Sequence, residues 1–202
     1  MTTVVRLAGI AALTLFAGSV AAQDLATELS AAQKLFDEKR YVESLERLEG
    51  AIQAVSAAMP LSVRAATLIE EASAYGSYVP RSSNVFAPDD KVKVYVEPVG
   101  YAHRRNGDTY EVELVGDFAL KTATGQTLLA EKDFARFPLA SRRPNREFYL
   151  SISYSYRNLK PGHYVIATTL RDLVGGKSAS FEVPIRVESA PASEKPADRA
   201  PN

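Results

Sequence analysis

The sequence contains no cysteine in its 202 residues. This absence excludes disulfide bonds, thiol nucleophiles, cysteine-ligated zinc, iron–sulfur clusters and the acylated cysteine of a bacterial lipoprotein. About 165 residues remain once a leader and a polar tail are set aside, and a chain of that size has a core large enough to fold without covalent cross-links. The missing cysteines are therefore compatible with an oxidising compartment.

An excess of charge is also lacking. The chain has 24 Lys and Arg residues against 24 Asp and Glu residues, and removal of a leader that carries only Arg6 leaves 23 against 24. General electrostatic attraction to polyanions needs a clear excess of basic residues. We therefore predict no nucleic-acid partner and no general binding to anionic membranes.

Residues that support catalysis are scarce. Only two histidines are present, His103 and His163, and both fall in predicted loops. A triad of His163, Asp172 and a serine lacks the spacing of a nucleophile elbow, and the scattered acids fit no metal-site spacing. No glycine-rich loop precedes a helix, so a phosphate-binding loop is not predicted either. We predict a non-enzymatic protein without a cofactor or metal site.

Residues 1–22 have the order of a cleavable signal peptide. Arg6 precedes the apolar run 7–18, and small residues follow at Ser19, Ala21 and Ala22. The apolar run is shorter than the ~20 residues that span a bilayer, and the remaining sequence offers no second span. We predict export to the periplasm or the medium, with an uncleaved membrane anchor as the less favoured alternative.

Residues 23–74 are predicted to be helical. Apolar residues recur at helical spacing on two segments that are separated by the polar break 37–40. They are Leu25, Leu29, Ala32, Leu35 and Phe36 on the first segment and Leu45, Leu48, Ile52 and Val55 on the second. A further pattern over 61–74 predicts a third helix. The predicted structure is therefore a helical hairpin of two to three helices.

The hairpin resembles a single tetratricopeptide repeat. The residues that carry the resemblance are Ala32, Leu35, Tyr41, Ser44, Leu48, Ala51 and Pro60. The resemblance implies that small residues let the two helices approach closely and that Pro60 ends the second helix. Because a stable solenoid needs about three repeats, an isolated repeat has to bury its remaining apolar face on the rest of the chain or on a partner.

Residues 75–188 are predicted to form an antiparallel β-sandwich. The apolar period changes here from helical to alternating, most regularly over 91–97 and 148–156. Turn pairs lie between the strands at Asn106-Gly107, Thr124-Gly125 and Gly175-Gly176. Pro184 has no backbone donor and predicts an edge position for the last strand. The predicted fold class is α+β, and the proline-rich residues 189–202 are predicted to be a disordered tail.

The segment 159–164 resembles the turn and tyrosine of immunoglobulin-like and fibronectin type III domains. The resemblance implies that the Tyr164 hydroxyl binds nearby backbone and that the sandwich is immunoglobulin-like. The stretches 141–148, 171–172 and 184–187 also resemble a group of exported proteobacterial proteins with a helical N-terminus and a C-terminal sandwich. That group implies export and the two-part architecture, and it implies no activity.

Four arginines cluster in one loop-rich stretch: Arg136, Arg142, Arg143 and Arg146. Guanidinium groups bind carboxylates and phosphates through paired hydrogen bonds. We identify these residues as a candidate site for an anion or a partner. The alternative is a solvated loop with local ion pairs.

Two functional hypotheses follow. The preferred one is a periplasmic, non-enzymatic interaction module whose hairpin and edge strand contact another protein of the cell envelope. The alternative is a binder or hydrolase that acts on an anionic cell-wall or lipid fragment through the arginine-rich loop, with Tyr149 or His163 completing a polar pocket. The lack of catalytic residues favours the interaction module.

Overall fold

The computed structural model describes residues 14–189, with side chains from residue 23 onward. Residues 1–13 of the predicted signal peptide and residues 190–202 of the predicted tail lie outside the described residues. The chain divides into two compact units, Met1–Pro60 and Leu61–Asn202. Within residues 14–189, the first unit is helical and the second consists of strands.

The first unit is a hairpin of two helices, α1 (Thr14–Asp37) and α2 (Tyr41–Ala58). Small buried residues lie where the helices meet: Ala32, Ser44 and Ala51. The Ser44 hydroxyl donates to the Ala32 carbonyl over 2.8 Å, which fixes the two helices to each other. The predicted hairpin with its polar break is confirmed. Neither described helix has the length and apolar character needed to cross a membrane.

The second unit contains ten strands within the described residues. They are β1 (Ser62–Ala74), β2 (Ser77–Pro80), β3 (Val85–Phe86), β4 (Lys91–Val99), β5 (Arg104–Asn106), β6 (Thr109–Thr122), β7 (Thr127–Ser141), β8 (Leu150–Ser155), β9 (Gly162–Asp172) and β10 (Lys177–Val187). One sheet has the order β2-β1-β4-β8, and the other has the order β3-β10-β9-β6-β5, with β7 also paired to β6. The pairings are antiparallel except for the short parallel pairing of β3 with β10.

Side chains from both sheets form one hydrophobic core. Alternate residues of each strand contribute to it, because successive side chains of a strand point to opposite faces. Its most deeply buried members include Val92, Val94, Val96, Leu114, Leu150, Ile152, Ile166, Leu170 and Ile185. The hydroxyl oxygens of Tyr154 and Thr168 lie 2.7 Å apart and join β8 to β9 across this core. A helical hairpin followed by mainly antiparallel sheets confirms the α+β class.

The predicted third helix over 61–74 is wrong, because Ser62–Ala74 forms strand β1. This strand pairs with β4 along one part of its length and with β2 along the next. Val63 and Ile69 are β-branched, and pairing with two strands outweighs the helical spacing of the apolar residues. The change from helix to strand therefore comes directly after Pro60.

Hydrogen bonds test two local predictions in β9 and β10. The Tyr164 hydroxyl donates to the Lys160 carbonyl over 2.6 Å, so the predicted bond to nearby backbone is confirmed. The Pro184 carbonyl accepts from the Asn84 side chain over 3.3 Å, and β3 covers the outer side of β10 at only two residues. The missing N–H of Pro184 therefore faces the outer side of β10, where the ladder with β9 loses nothing. Most of β10 is the edge that the proline predicts.

Candidate functional site

Three loops of the second unit converge at one end of its sheets. The loop after β4 and the loop after β7 meet at the Asn145 carbonyl, which accepts from the Tyr101 hydroxyl over 2.8 Å and lies 3.0 Å from His103 Nε2. Burial raises the pKa of Tyr101, and the positive charge of Arg146 only partly opposes that rise. The Tyr101 hydroxyl therefore stays protonated at neutral pH and donates to the loop.

The third loop is the turn between β9 and β10, and the buried carboxylate of Asp172 holds it. This carboxylate accepts from the backbone N–H groups of Val174 and Gly175, each over 3.0 Å, and from that of Ala102 over 2.8 Å. The Lys177 ammonium group also donates to a carbonyl of the loop after β4, over 2.9 Å. A carboxylate is stable in a core only where such donors replace water. Asp172 therefore joins the turn to the loop after β4.

The structure divides the four arginines that the sequence groups as a binding site. Arg136 lies on β7 and forms an ion pair with Glu113 of β6 at 3.1 Å, so it belongs to the sheet. The other three follow β7 in the same loop: Arg142, Arg143 and Arg146. Residues 141–147 are called the arginine loop below.

The arginine loop borders a cavity of about 360 Å³. Its lining residues are Ser141, Arg143, Pro144, Asn145, Arg146 and Glu147. The Ser141 hydroxyl donates to the Arg143 carbonyl over 2.5 Å, and Asn145 Oδ1 accepts from the Glu147 N–H over 2.8 Å. Arg142 and Arg143 are exposed, and neither forms an ion pair with a carboxylate of the described residues. The loop therefore holds two uncompensated guanidinium groups on a backbone that is fixed by hydrogen bonds.

The other residues suggested for a polar pocket lie elsewhere. Tyr149 stacks on Tyr95, with ring centroids 5.4 Å apart, and does not line the cavity. His163 and Asp172 occupy opposite ends of β9, so the strand separates them by about 30 Å and they share no proton. Nδ1 of His103 is buried without a hydrogen-bond partner among the described residues. Across residues 14–189, no group of side chains is arranged to hold a metal ion.

The first unit carries a second candidate surface, which we call the apolar stripe. Its members are Leu29 and Phe36 of α1 and Tyr41, Val42, Leu45, Leu48, Ile52 and Val55 of α2. Their exposed fractions range from 40% for Leu48 to 72% for Val42. Scattered apolar residues are common on protein surfaces, but eight large ones exposed on two helices are typical of an interaction site.

A groove of about 390 Å³ runs along the apolar stripe. Its lining residues are Leu25, Leu29, Leu48, Ala51, Ile52 and Val55. These side chains contain no polar atom, so the groove offers a bound group only apolar contact. Grooves of this kind bind the apolar face of an amphipathic helix.

The sequence identifies most of the apolar stripe by its helical spacing, but not all of it. Val42 is absent from the predicted apolar face, and Tyr41 is assigned only to the turn of a repeat. The spacing of residues 41, 45, 48, 52 and 55, in which steps of four and three alternate, is the signal that identifies Tyr41, whereas Val42 lies outside it. The sequence gives no sign that the Asn145 carbonyl joins two loops, because that contact links residues more than 40 positions apart.

No family model and no curated protein match the chain. The chain is similar to Spo0M, a sporulation control protein from Bacillus subtilis, with 13% identity and a TM-score of 0.35 over 65% of this chain and 51% of Spo0M. It is also similar to a superoxide reductase (neelaredoxin) from Ignicoccus hospitalis, with 14% identity and a TM-score of 0.33 over 71% of this chain and 92% of the reductase. The match thus spans about half the length of Spo0M. Likenesses this distant carry no functional inference.

Proposed function

We propose that this protein is a non-enzymatic interaction module of the bacterial cell envelope that binds another protein through the apolar stripe of its helical hairpin. The observation that carries the proposal is the exposure of eight large apolar side chains on one small unit. Water contact with such a surface is unfavourable by roughly 25 cal/mol for each Å². A partner that covers the stripe removes that cost.

The proposed location rests on the leader. Residues 1–22 combine one basic residue, an apolar run and small residues before Gln23 in the order of a signal peptide. Export without a lipid-anchoring cysteine gives a protein that is free in the periplasm or the medium. Its partner is then a protein of the envelope, a second copy of this chain included.

We also propose that the second unit is an immunoglobulin-like sandwich. In chain order, β1, β4, β6, β7, β8, β9 and β10 correspond to strands A, B, C, C′, E, F and G of that fold. Strands A, B and E then share one sheet, and G, F, C and C′ share the other. Tyr164 lies near the start of β9 and bonds to Lys160, as the corner tyrosine of strand F does.

Capture of partners from an envelope extract tests the proposed function. The mature chain is used as bait under gentle crosslinking, beside Ile52→Glu, which places a charge in the apolar stripe. Ala57→Glu adds the same charge to an exposed position of α2 outside the stripe and is the matched control. We expect the wild type and Ala57→Glu to recover the same protein and Ile52→Glu to lose it. Equal recovery by all three, or no reproducible partner for any of them, the chain's own untagged copy included, contradicts the proposal.

A second candidate function is binding of an anion at the arginine loop. The observation that favours it is the absence of a carboxylate partner for Arg142 and Arg143 among the described residues, beside a defined cavity. In the envelope, the phosphates of lipid head groups and the carboxylates of cell-wall peptides carry the matching charge. Loops at one end of an immunoglobulin-like sandwich are also its usual binding surface.

Thermal unfolding tests the anion site. Inorganic phosphate, muropeptides and phospholipid head groups are added separately to the mature chain, and a ligand that binds only the folded state raises the unfolding temperature. We expect the rise to disappear in Arg143→Ala and to persist in Arg136→Ala, because Arg136 is already paired with Glu113. No rise with any of these ligands, or an equal rise in both variants, contradicts the anion site.

A further inference from the structure

We infer that the protein that covers the apolar stripe is a second copy of this chain, and that two hairpins associate as a four-helix bundle. This inference rests on the proposed function, because it names the partner for the same surface. The spacing and the area of the stripe support the inference, and the positions of the charged residues on α2 are consistent with it.

The spacing of the stripe is that of a coiled-coil seam. Residues 41, 45, 48, 52 and 55 of α2 follow the alternation of four and three residues that defines the first and fourth positions of a heptad. In α1, residues 25, 29 and 36 fall on the same alternation, and its remaining position, Ala32, is buried against α2 within the hairpin.

Knobs-into-holes packing requires the same period on both sides of the interface. The helices of a second hairpin meet this requirement, because they have the same 3.5-residue period and the same length as the surface that they cover. The 18 residues of α2 are about 27 Å long, so the seam extends over nearly the whole helix. A flat sheet surface has no matching row of holes.

The area of the stripe fits a stable dimer. Its eight large side chains are each about half exposed, and at on the order of 200 Å² for a fully exposed side chain they present roughly 800 Å². One partner in a stable interface of standard size contributes about 800 Å². Two stripes pressed together therefore provide a complete interface without any contribution from other surfaces.

The charged residues of α2 lie outside the two heptad positions that form the seam. Glu43, Glu46 and Arg47 occupy heptad positions that point away from a partner helix, and only Glu49 borders the seam. Residues 23–60 together carry four basic and seven acidic side chains, a net charge of −3. Two copies therefore repel each other weakly, and salt screens this repulsion. Association of two copies should strengthen with salt, whereas association with a basic partner should weaken.

Sedimentation equilibrium of the mature chain tests the inference. We expect a monomer–dimer equilibrium whose dissociation constant falls as NaCl is raised from about 0.05 M to about 0.5 M. Ile52→Glu and Leu48→Glu should each raise the dissociation constant about tenfold or more, because each buries a charge at the seam. Ala57→Glu should leave it within about twofold. Circular dichroism of each variant separates loss of association from loss of the helices.

Each other outcome overturns the inference. A wild-type chain that remains monomeric up to about 100 μM, well above a typical dissociation constant for a specific dimer, has no second copy on its stripe. If stripe-dependent capture of another envelope protein persists in that case, the proposed function stands and only the partner is wrong. A dimer that is unaffected by Ile52→Glu uses another surface. If capture is also unaffected by this change, the proposed function fails as well.

Discussion

Asp172 is the residue on which the arrangement of the loops depends most. Its carboxylate is 1% exposed and accepts three backbone N–H groups from two different loops. An amide in its place offers one oxygen and turns an N–H₂ group toward other donors. The relative position of the loop after β4 and the turn between β9 and β10 therefore depends on one charged side chain.

We expect Asp172→Asn to lower the free energy of unfolding by about 1 to 3 kcal/mol, since at least one buried N–H group loses its acceptor and meets an N–H₂ group instead. Urea unfolding monitored by circular dichroism measures the change. Asp108→Asn removes a charge from an exposed turn residue and should change the free energy by less than about 0.5 kcal/mol. Equal losses in the two variants would show that Asp172 acts only through its charge.

Asp117 gives the second unit a dependence on pH. Its hydrogen bond with the Arg171 guanidinium, followed by the one from the Asp133 N–H, lowers the pKa of the Asp117 carboxyl group below its ordinary value of 3.8. Because the pKa is lower in the folded state, the resulting stability is present above the unfolded value and is lost as pH falls through the folded value. Protonation at low pH therefore weakens the link between β6, β7 and β9.

Asp117→Asn should reduce the loss of stability between pH 7 and about pH 2, because one carboxyl group whose pKa differs between the two states is removed. Urea midpoints of the wild type and the variant at both pH values measure the difference. At pH 7 the variant should be less stable than the wild type. If the two proteins lose the same amount of stability on acidification, the interaction of Asp117 with Arg171 contributes nothing to the acid response.

In the long β6–β7 hairpin, an aromatic ring of one strand packs directly against a glycine of the other. A Cβ atom on Gly116 would lie 2.8 Å from the Phe134 ring, which is closer than atoms pack. That ring cannot simply turn away, because it packs against Phe118 and Tyr154 at centroid distances of 4.9 and 5.6 Å. The register of β6 and β7 also shifts between Gly116 and Phe118.

We expect Gly116→Ala to lower the free energy of unfolding by about 1 to 3 kcal/mol through overpacking against Phe134. The same substitution made in a Phe134→Leu background should cost less, since the ring that it meets is gone. A double-mutant cycle by urea unfolding measures the coupling between the two positions. An equal cost in both backgrounds would place the effect in the backbone of β6 instead of the ring contact.

The elements also show which parts of the fold can be predicted from sequence. Alternation identifies β4 and β8, and the polar break identifies the hairpin, because these patterns reflect which side chain faces the core. The pattern fails over β1, where residues 61–74 have helical spacing and yet pair with two strands. A strand that gains its stability from distant neighbours leaves a weak local signal.

For the candidate sites as well, local features can be predicted from the sequence and long-range contacts cannot. Proximity in sequence groups Arg136 with Arg142, Arg143 and Arg146, but strand pairing gives Arg136 a partner on β6 and removes it from the loop. The apolar stripe is predicted more completely, since helical spacing alone places six of its eight members on the apolar faces of the two helices, without any long-range contact. Sequence patterns do not tell whether that face is covered, because burial depends on what the rest of the chain provides.

For the whole molecule, the main feature is an unequal distribution of core residues. The hydrophobic core cluster extends from Leu61 to Val187 and so lies wholly within the second unit. Among the side chains of the first unit that the structure describes, those of residues 23–60, the buried ones are the small residues Ala32, Ser44 and Ala51. The second unit therefore has its own source of stability, whereas residues 23–60 of the hairpin number 38, below the ~40 residues under which a chain seldom folds alone.

We expect a fragment of residues 61–189 to fold alone, with a β-type circular dichroism spectrum and one cooperative thermal transition, because it contains every member of the core cluster. A peptide of residues 23–60 should be largely unfolded when dilute, because two helices that bury only small side chains gain too little apolar contact to offset their ordering entropy. Its helicity should rise steeply with concentration if the apolar stripe brings two copies together. Two outcomes contradict this expectation: a peptide that is fully helical when dilute, and a fragment 61–189 that unfolds without a cooperative transition. Either one would show that the distribution of core residues does not set the stability of the two units.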